Sequence, residues 1–279
     1  MKKKRARALS TLTLGLALGG IFVPAVAWSM QQFGWRATAF ASGVIIIVIA
    51  WPLAGLFRHR TPHSIGETLD GLPETAGRPG EPEPATQREF TAREALRTRS
   101  FWLLSLGHGF ALLVVMAVNV HAITHMKEGL GYSVAEASLV ITLVTLSQVG
   151  GVLLGWAIGD RYQKRHVSAV CMLMHSAGLL MLTFATGPAM LVGFALLHGV
   201  AWGLRGPLMQ AIRADYFGRQ SIGMILGLSS LIVVIGQAGG PLIAGAFADL
   251  TGNYISGFTV LSILAGLGSL FFLLARRPD

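Results

Sequence analysis

Eight apolar runs, each about as long as a bilayer is thick, divide the chain. They cover roughly 8–30, 37–57, 101–123, 134–158, 167–186, 189–209, 222–248 and 255–275. About 20 apolar residues in a helix cross a ~30 Å hydrocarbon core, so each run predicts a transmembrane helix. None shows the period-2 alternation of a barrel strand, which excludes a β-barrel. Runs five and six are separated only by Gly187 and Pro188, a turn signal. Lone prolines inside runs, Pro24 and Pro52, are tolerated because neighbouring helices satisfy the carbonyls they free. The expected fold class is an all-α integral membrane protein of eight transmembrane helices.

Composition agrees. Of 279 residues, 53% are hydrophobic and 13% charged, against about 25% charged in a soluble domain. A mean hydropathy of +0.61 excludes a soluble enzyme and a disordered chain. The net charge of +9 would suggest nucleic acid in a soluble protein, but the placement of the charges gives another cause. With the N-terminus inside, nineteen of the 22 Lys and Arg fall on inside segments; Arg36 and Lys127 fall outside, and Arg205 lies within a run. That is the positive-inside pattern. It predicts a multi-pass cell-membrane protein with both termini cytoplasmic, a lipid bilayer as partner and no nucleic acid. Cys171 is the single cysteine, so no internal disulfide is possible.

Three regions follow: 1–57 with two spans, 58–99 as a cytoplasmic linker, and 100–279 with six spans. Within the linker, 62–84 is rich in Pro, Gly and Glu and is expected to be disordered. Thr91-Ala-Arg-Glu94 then has the spacing of a capping box and predicts a short helix leading into the third span. At the N-terminus, basic residues, an apolar run and Ala25-Val-Ala27 also fit a cleavable signal peptide. The run is longer than a usual signal core, so the uncleaved reading is preferred.

An internal repeat is present. Residues 146–160 align with 235–249 at Gln148/Gln237, Gly150/Gly239, Gly151/Gly240, Leu153/Leu242, Ala157/Ala246 and Asp160/Asp249. The offset is three spans, an odd number, so Asp160 and Asp249 fall on opposite sides of the membrane. Inverted three-helix repeats over the last six spans predict this, an arrangement used by secondary transporters.

The stretch from Gly155 through Asp160-Arg161 to Lys164-Arg165 resembles the loop signature of the major facilitator superfamily. Trp156 and Gln163 stand where that family usually has glycine. Arg213-Ala-Asp215-Tyr-Phe-Gly-Arg219 and Phe33-Gly-Trp-Arg36 resemble loops of its monocarboxylate and oxalate:formate exchanger branch. The resemblance implies that the chain corresponds to the family's fifth and sixth helices, central linker and C-terminal half, without its first four helices. It also implies secondary transport of a small organic solute, with a monocarboxylate or other organic anion as the class considered.

Several residues carry candidate chemistry. Arg205 is the only basic charge inside a run, and burying it is costly enough to demand a reason. Three roles stay open for it: contact with a substrate carboxylate, pairing between helices, or snorkelling, since it falls near the end of its run. His108, Asn119 and His121 make the third run the most polar, with His108 and Asn119 on one helical face. Gln148 and Gln237 recur at equivalent repeat positions, where they line a cavity or bond between helices. The glycine pairs after them read as sites of close helix packing. Asp160, Arg161, Lys164 and Arg165 are candidates for a conformational latch in which a carboxylate caps a neighbouring helix, or else they are topology anchors. No Asp or Glu lies deep within a run, so any proton coupling inside this chain would fall to His108, His121, His175 or His198. His121 and His125 have i,i+4 metal spacing, but two nitrogens make a weak site, and no metal or cofactor is expected. No nucleotide-binding loop and no hydrolase motif is present, so neither ATP-driven transport nor an enzyme is expected. The competing expectation is a truncated remnant or assembly partner, completed by self-association or by a separate N-terminal half.

Overall fold

The computed structural model describes residues 5–19, 23–55 and 88–278. The disorder expected over 62–84 lies outside them. The described residues contain helices and loops, with no strand among them: α1 (Arg5–Gly19), α2 (Val23–Ala54), α3 (Ala92–Leu96), α4 (Arg99–Thr124), α5 (Val134–Ile158), α6 (Lys164–Thr183), α7 (Pro188–Phe217), α8 (Ile222–Thr251) and α9 (Ile255–Leu274). A π-turn, His125–Gly129, extends α4. Among the described residues seven helices are long and apolar enough to cross a membrane. They match predicted runs two to eight. The described residues of the first run lie in α1 and the start of α2.

The described residues fall into two units, one of 15–19 and 23–55, the other of 5–14 and 88–278. In the first, Gly34 breaks α2 with φ 77° and ψ 160°. That backbone region is open to glycine and costly for a residue with a Cβ. Thr38 hydroxyl donates to the Gly34 carbonyl at 3.0 Å and fixes the break. Beyond it, Val44 to Ile49 and Trp51 are all exposed, an apolar surface suited to lipid.

The second unit is a six-helix bundle, α4 to α9. Its tightest helix pairs are α5 with α7 and α4 with α8, followed by α6 with α7 and α9. If α4, α5 and α6 correspond to α7, α8 and α9, the pair α5–α7 is the counterpart of α8–α4. The packing therefore repeats as the inverted repeat requires. Equivalent glycines make the close approaches: a Cβ on Gly151 would lie 2.3 Å from the Val200 carbonyl oxygen of α7, and one on Gly240 only 1.9 Å from that of Leu113 in α4. The partner glycines of each pair, Gly150 and Gly239, have nothing within 4 Å. The expected close packing thus belongs to the second glycine of each pair. Outward positions also correspond, since Leu146 and Ile235 are exposed, as are Leu153 and Leu242.

Local signals set the helix ends. Pro188 opens α7 behind Gly187, where its missing amide costs nothing. Thr91 and Glu94 close the capping box of α3. Glu94 accepts from the Thr91 amide at 2.8 Å and from its hydroxyl at 2.7 Å. These bonds, the amide first, hold the Glu94 carboxyl below the usual carboxylate range. A depressed folded pKa contributes stability above the ordinary glutamate value and loses it as pH falls through the lowered one. We therefore expect the protection of the α3 amides, taken relative to the intrinsic exchange rate at each pH, to hold down to the ordinary glutamate pKa and to fall only below it. In Thr91→Ala it should be lost at every pH. Exchange measured by mass spectrometry against pH checks this. Just before α3, Glu89 accepts from the amides of Arg219 and Gln220 at 2.6 and 2.8 Å, which ties this segment to the α7–α8 turn.

Candidate functional site

Helix α7 carries the site. It runs to Phe217, eight residues past the predicted end of its run. Arg205 is therefore twelve residues from the helix end, about 18 Å at 1.5 Å per residue, and 1% exposed. This removes the premise for snorkelling. Gly199 and Gly203 press against the backbone of α5. Arg205, two residues past Gly203, is turned about 200° away from that contact. Its Nε and Nη1 are buried without a hydrogen-bond partner, and among the described residues no carboxylate pairs with it.

Arg213 was assigned to a polar loop by its sequence. The structure places it inside α7, 2% exposed. Its guanidinium donates to the Met209 carbonyl and the Ser229 hydroxyl, each at 2.8 Å, and to the Leu104 carbonyl at 3.4 Å. Ser229 in turn meets Ser105 at 2.9 Å. The network joins α4, α7 and α8. Arg213 Nη2 also reaches His108 Nδ1 at 3.4 Å. A guanidinium only donates, so Nδ1 accepts and a neutral His108 ring carries its proton on Nε2. His108 is partly exposed, so this N–H can be offered to a ligand.

His175 and His198 meet through their Nδ1 atoms at 3.1 Å, both fully buried, and both Nε2 atoms lack a partner. The sequence singled out these histidines separately; the structure makes them a pair between α6 and α7.

The other candidates lie apart. Asn119 is exposed, away from the bond His108 makes to Arg213. His121 Nε2 bonds the Pro241 carbonyl of α8 at 3.1 Å and its ring lies 5.0 Å from that of Tyr254. His125 bonds the Leu182 carbonyl of α6. The two rings are thus engaged by different helices, and no group of three potential ligands for a metal exists among the described residues. Gln148 and Gln237 are both half-buried, at the α5–α7 and α4–α8 crossings.

The four latch candidates cluster at one end of the bundle. Asp160 accepts from the Arg7 amide, the third residue of α1, at 3.2 Å. Arg7 Nε donates to the Trp156 carbonyl at 3.2 Å, and its guanidinium lies over the Trp156 ring. Lys164 pairs with Asp215 at 2.9 Å, joining the start of α6 to the end of α7. Arg161 is exposed and Arg165 half-buried.

Curated relatives agree with this architecture. A hexuronate transporter of Escherichia coli is 22% identical over 96% of this chain and 64% of its own length. The membrane sensor protein UhpC of the same organism is 26% identical over 94% of the chain and 62% of its own. Monocarboxylate transporter 12 of Rattus norvegicus is 25% identical over 96% and 58%. The chain therefore spans 58–64% of the length of these three relatives. The family model for the Major Facilitator Superfamily matches residues 104–279, which takes in nearly all of the six-helix bundle and its inverted repeat. On that match the chain belongs to the Major Facilitator Superfamily.

Proposed function

We propose that this chain is part of a secondary transporter for small organic anions, working by alternating access. Arg205 and Arg213 supply the positive field in this reading, and His108 Nε2–H is the donor a substrate carboxylate or phosphate meets. The observation that carries it is the unpaired Arg205 guanidinium. A buried charge is ordinarily paired or neutralised, yet here two guanidinium nitrogens have no hydrogen-bond partner and the unit charge has no counter-ion among the described residues. A transient anion would be the missing partner. Hexuronates and monocarboxylates, named by two relatives, are carboxylates, which supports the class without choosing a member of it.

Inverted repeats suit alternating access because one half can rock against the other around a fixed site. We take the end bearing Asp160, Lys164 and Arg165 as cytoplasmic, from the positive-inside distribution. Asp160, Arg161, Lys164 and Arg165 are proposed as the latch of one conformation. The Asp160–Arg7 and Lys164–Asp215 contacts support that role.

A ligand screen by thermal shift tests the anion reading. Purified protein would be heated with glucuronate, lactate, glycerol 3-phosphate or neutral glucose. A ligand at hundredfold excess over its Kd stabilises by about 2.7 kcal/mol, which moves Tm by several degrees. One of the anions should produce this shift and glucose should not. Equal shifts with glucose, or none with any anion, would remove the basis for the proposal.

A further inference from the structure

The basic end of the bundle, which bears the proposed latch residues, holds neighbouring recesses that the anion site around Arg205 does not use. One, about 470 Å³, is lined by Lys164, Arg165, Arg276 and Arg277, with Asp215 and Tyr216 beside them. A second, about 720 Å³, has walls of Ile158, Val167, Val170 and Leu204, with Arg161 and His166 at its edge. Tyr162 and Gln163 line both, so the polar cleft and the apolar groove lie side by side. A third recess of about 530 Å³ shares Arg276 and Arg277 and adds Arg99.

The charges are unbalanced. The polar cleft has four cations and one carboxylate, Asp215, which Lys164 holds at 2.9 Å. Arg165, Arg276 and Arg277 have no ion pair among the described residues. Gln163 caps α6 with no side-chain hydrogen bond, so the positive end of that helix adds to the same field.

The position also matters. α6 begins at Lys164 and α9 ends at Leu274, so the cleft lies where the apolar spans stop, at headgroup depth. Trp156 and Tyr162 are exposed at the same end, as interfacial aromatics are. A soluble phosphate would satisfy the cations but leave the apolar groove unused. A ligand with a phosphate and a hydrocarbon chain fits both parts.

We infer that this end of the bundle binds an anionic phospholipid, its phosphate among Arg165, Arg276 and Arg277 and an acyl chain along the groove between α5 and α6. Lys164 is committed to Asp215 and plays the smaller part. Phosphatidylethanolamine carries its own ammonium and gains less from the cluster, so the site discriminates by headgroup charge. This inference is independent of what the protein transports.

The test measures lipid binding by native mass spectrometry, with phosphatidylglycerol and phosphatidylethanolamine of identical chains titrated onto delipidated protein. Wild type should retain phosphatidylglycerol at about tenfold lower lipid concentration than phosphatidylethanolamine. The triple variant Arg165→Gln, Arg276→Gln, Arg277→Gln should lose that preference, while Arg93→Gln with Arg97→Gln, on α3 and outside the recesses, should keep it. Size-exclusion elution verifies folding; if the triple variant is misfolded, the wild-type comparison of the two lipids decides alone. Equal retention of both lipids by wild type would show ordinary annular contact and overturn the proposal. So would an unchanged preference in a folded triple variant. Displacement of phosphatidylglycerol by millimolar inorganic phosphate would also overturn it, since the site would then be one for a soluble anion.

Discussion

Gly203→Ala and Gly240→Ala should each leave little folded monomer, whereas Gly150→Ala and Gly239→Ala should be harmless. A Cβ on Gly203 would sit 1.9 Å from the Gln148 carbonyl oxygen and 2.9 Å from the Val152 amide nitrogen. A Cβ on Gly240 would sit 1.9 Å from the Leu113 carbonyl oxygen and 2.7 Å from its carbonyl carbon. Every one of these atoms is backbone, so no rotamer change relieves the clash and the two helices must separate. Overpacking a core typically costs ~1–3 kcal/mol even where side chains can yield. Here the expected loss lies at or above the top of that range, a fall in Tm on the order of 5–10 °C or more. Gly150 and Gly239 meet nothing within 4 Å, and alanine there gains up to about 1 kcal/mol of helix propensity. Thermal unfolding of the four purified variants, followed by size-exclusion fluorescence, reads both signs together. If all four behave alike, the close approach at the α5–α7 and α4–α8 crossings is wrong.

Arg205→Met should give the second large effect, and its two parts run in opposite directions. Methionine fills most of the same space without a charge. Insertion scales put the cost of a central arginine at about 2.5–3.5 kcal/mol, and here no carboxylate among the described residues offsets it. The variant should therefore be at least as stable as wild type, while anion binding falls tenfold or more, each decade being about 1.4 kcal/mol. A purely structural arginine would give the reverse, lost stability with binding unchanged in what still folds. Arg213→Met provides the contrast. It removes donors from the Ser229 hydroxyl and from the Met209 and Leu104 carbonyls and should destabilise. Tm and ligand affinity measured on both variants separate the two roles.

These expectations show where the sequence was informative and where it was not. The spans were legible because length and hydropathy are local properties that the bilayer imposes. The Gly187–Pro188 turn and the Thr91–Glu94 capping box were legible because each rests on a few residues adjacent in sequence. The repeat was legible through matched glutamines, glycines and aspartates, and it identified Gly151 and Gly240 as equivalents. It did not say which glycine of each pair faces a neighbour, since that depends on helix rotation. The inward position of Arg213 was missed because its charge suggested a loop. The better signal was Leu204, Leu208, Ile212 and Tyr216, an apolar series at i+4 spacing that carries α7 through it. The His175–His198 pair also left a trace. The two lie twelve and eleven residues on either side of Gly187, and a tight turn sets such positions at equal depth on adjacent helices. That Arg205 turns away from α5 had no such trace, because it follows from which side of α7 the glycines leave free.

The most direct test of the account is counterflow in proteoliposomes. The reconstituted chain, loaded with a candidate organic anion, would be diluted into trace radiolabelled anion. Transient accumulation should exceed empty vesicles with wild-type protein and return to background with Arg205→Met at equal incorporation. Wild-type protein that binds an anion but shows no counterflow, or an Arg205→Met variant that accumulates it as wild type does, would contradict transport through a site organised by Arg205.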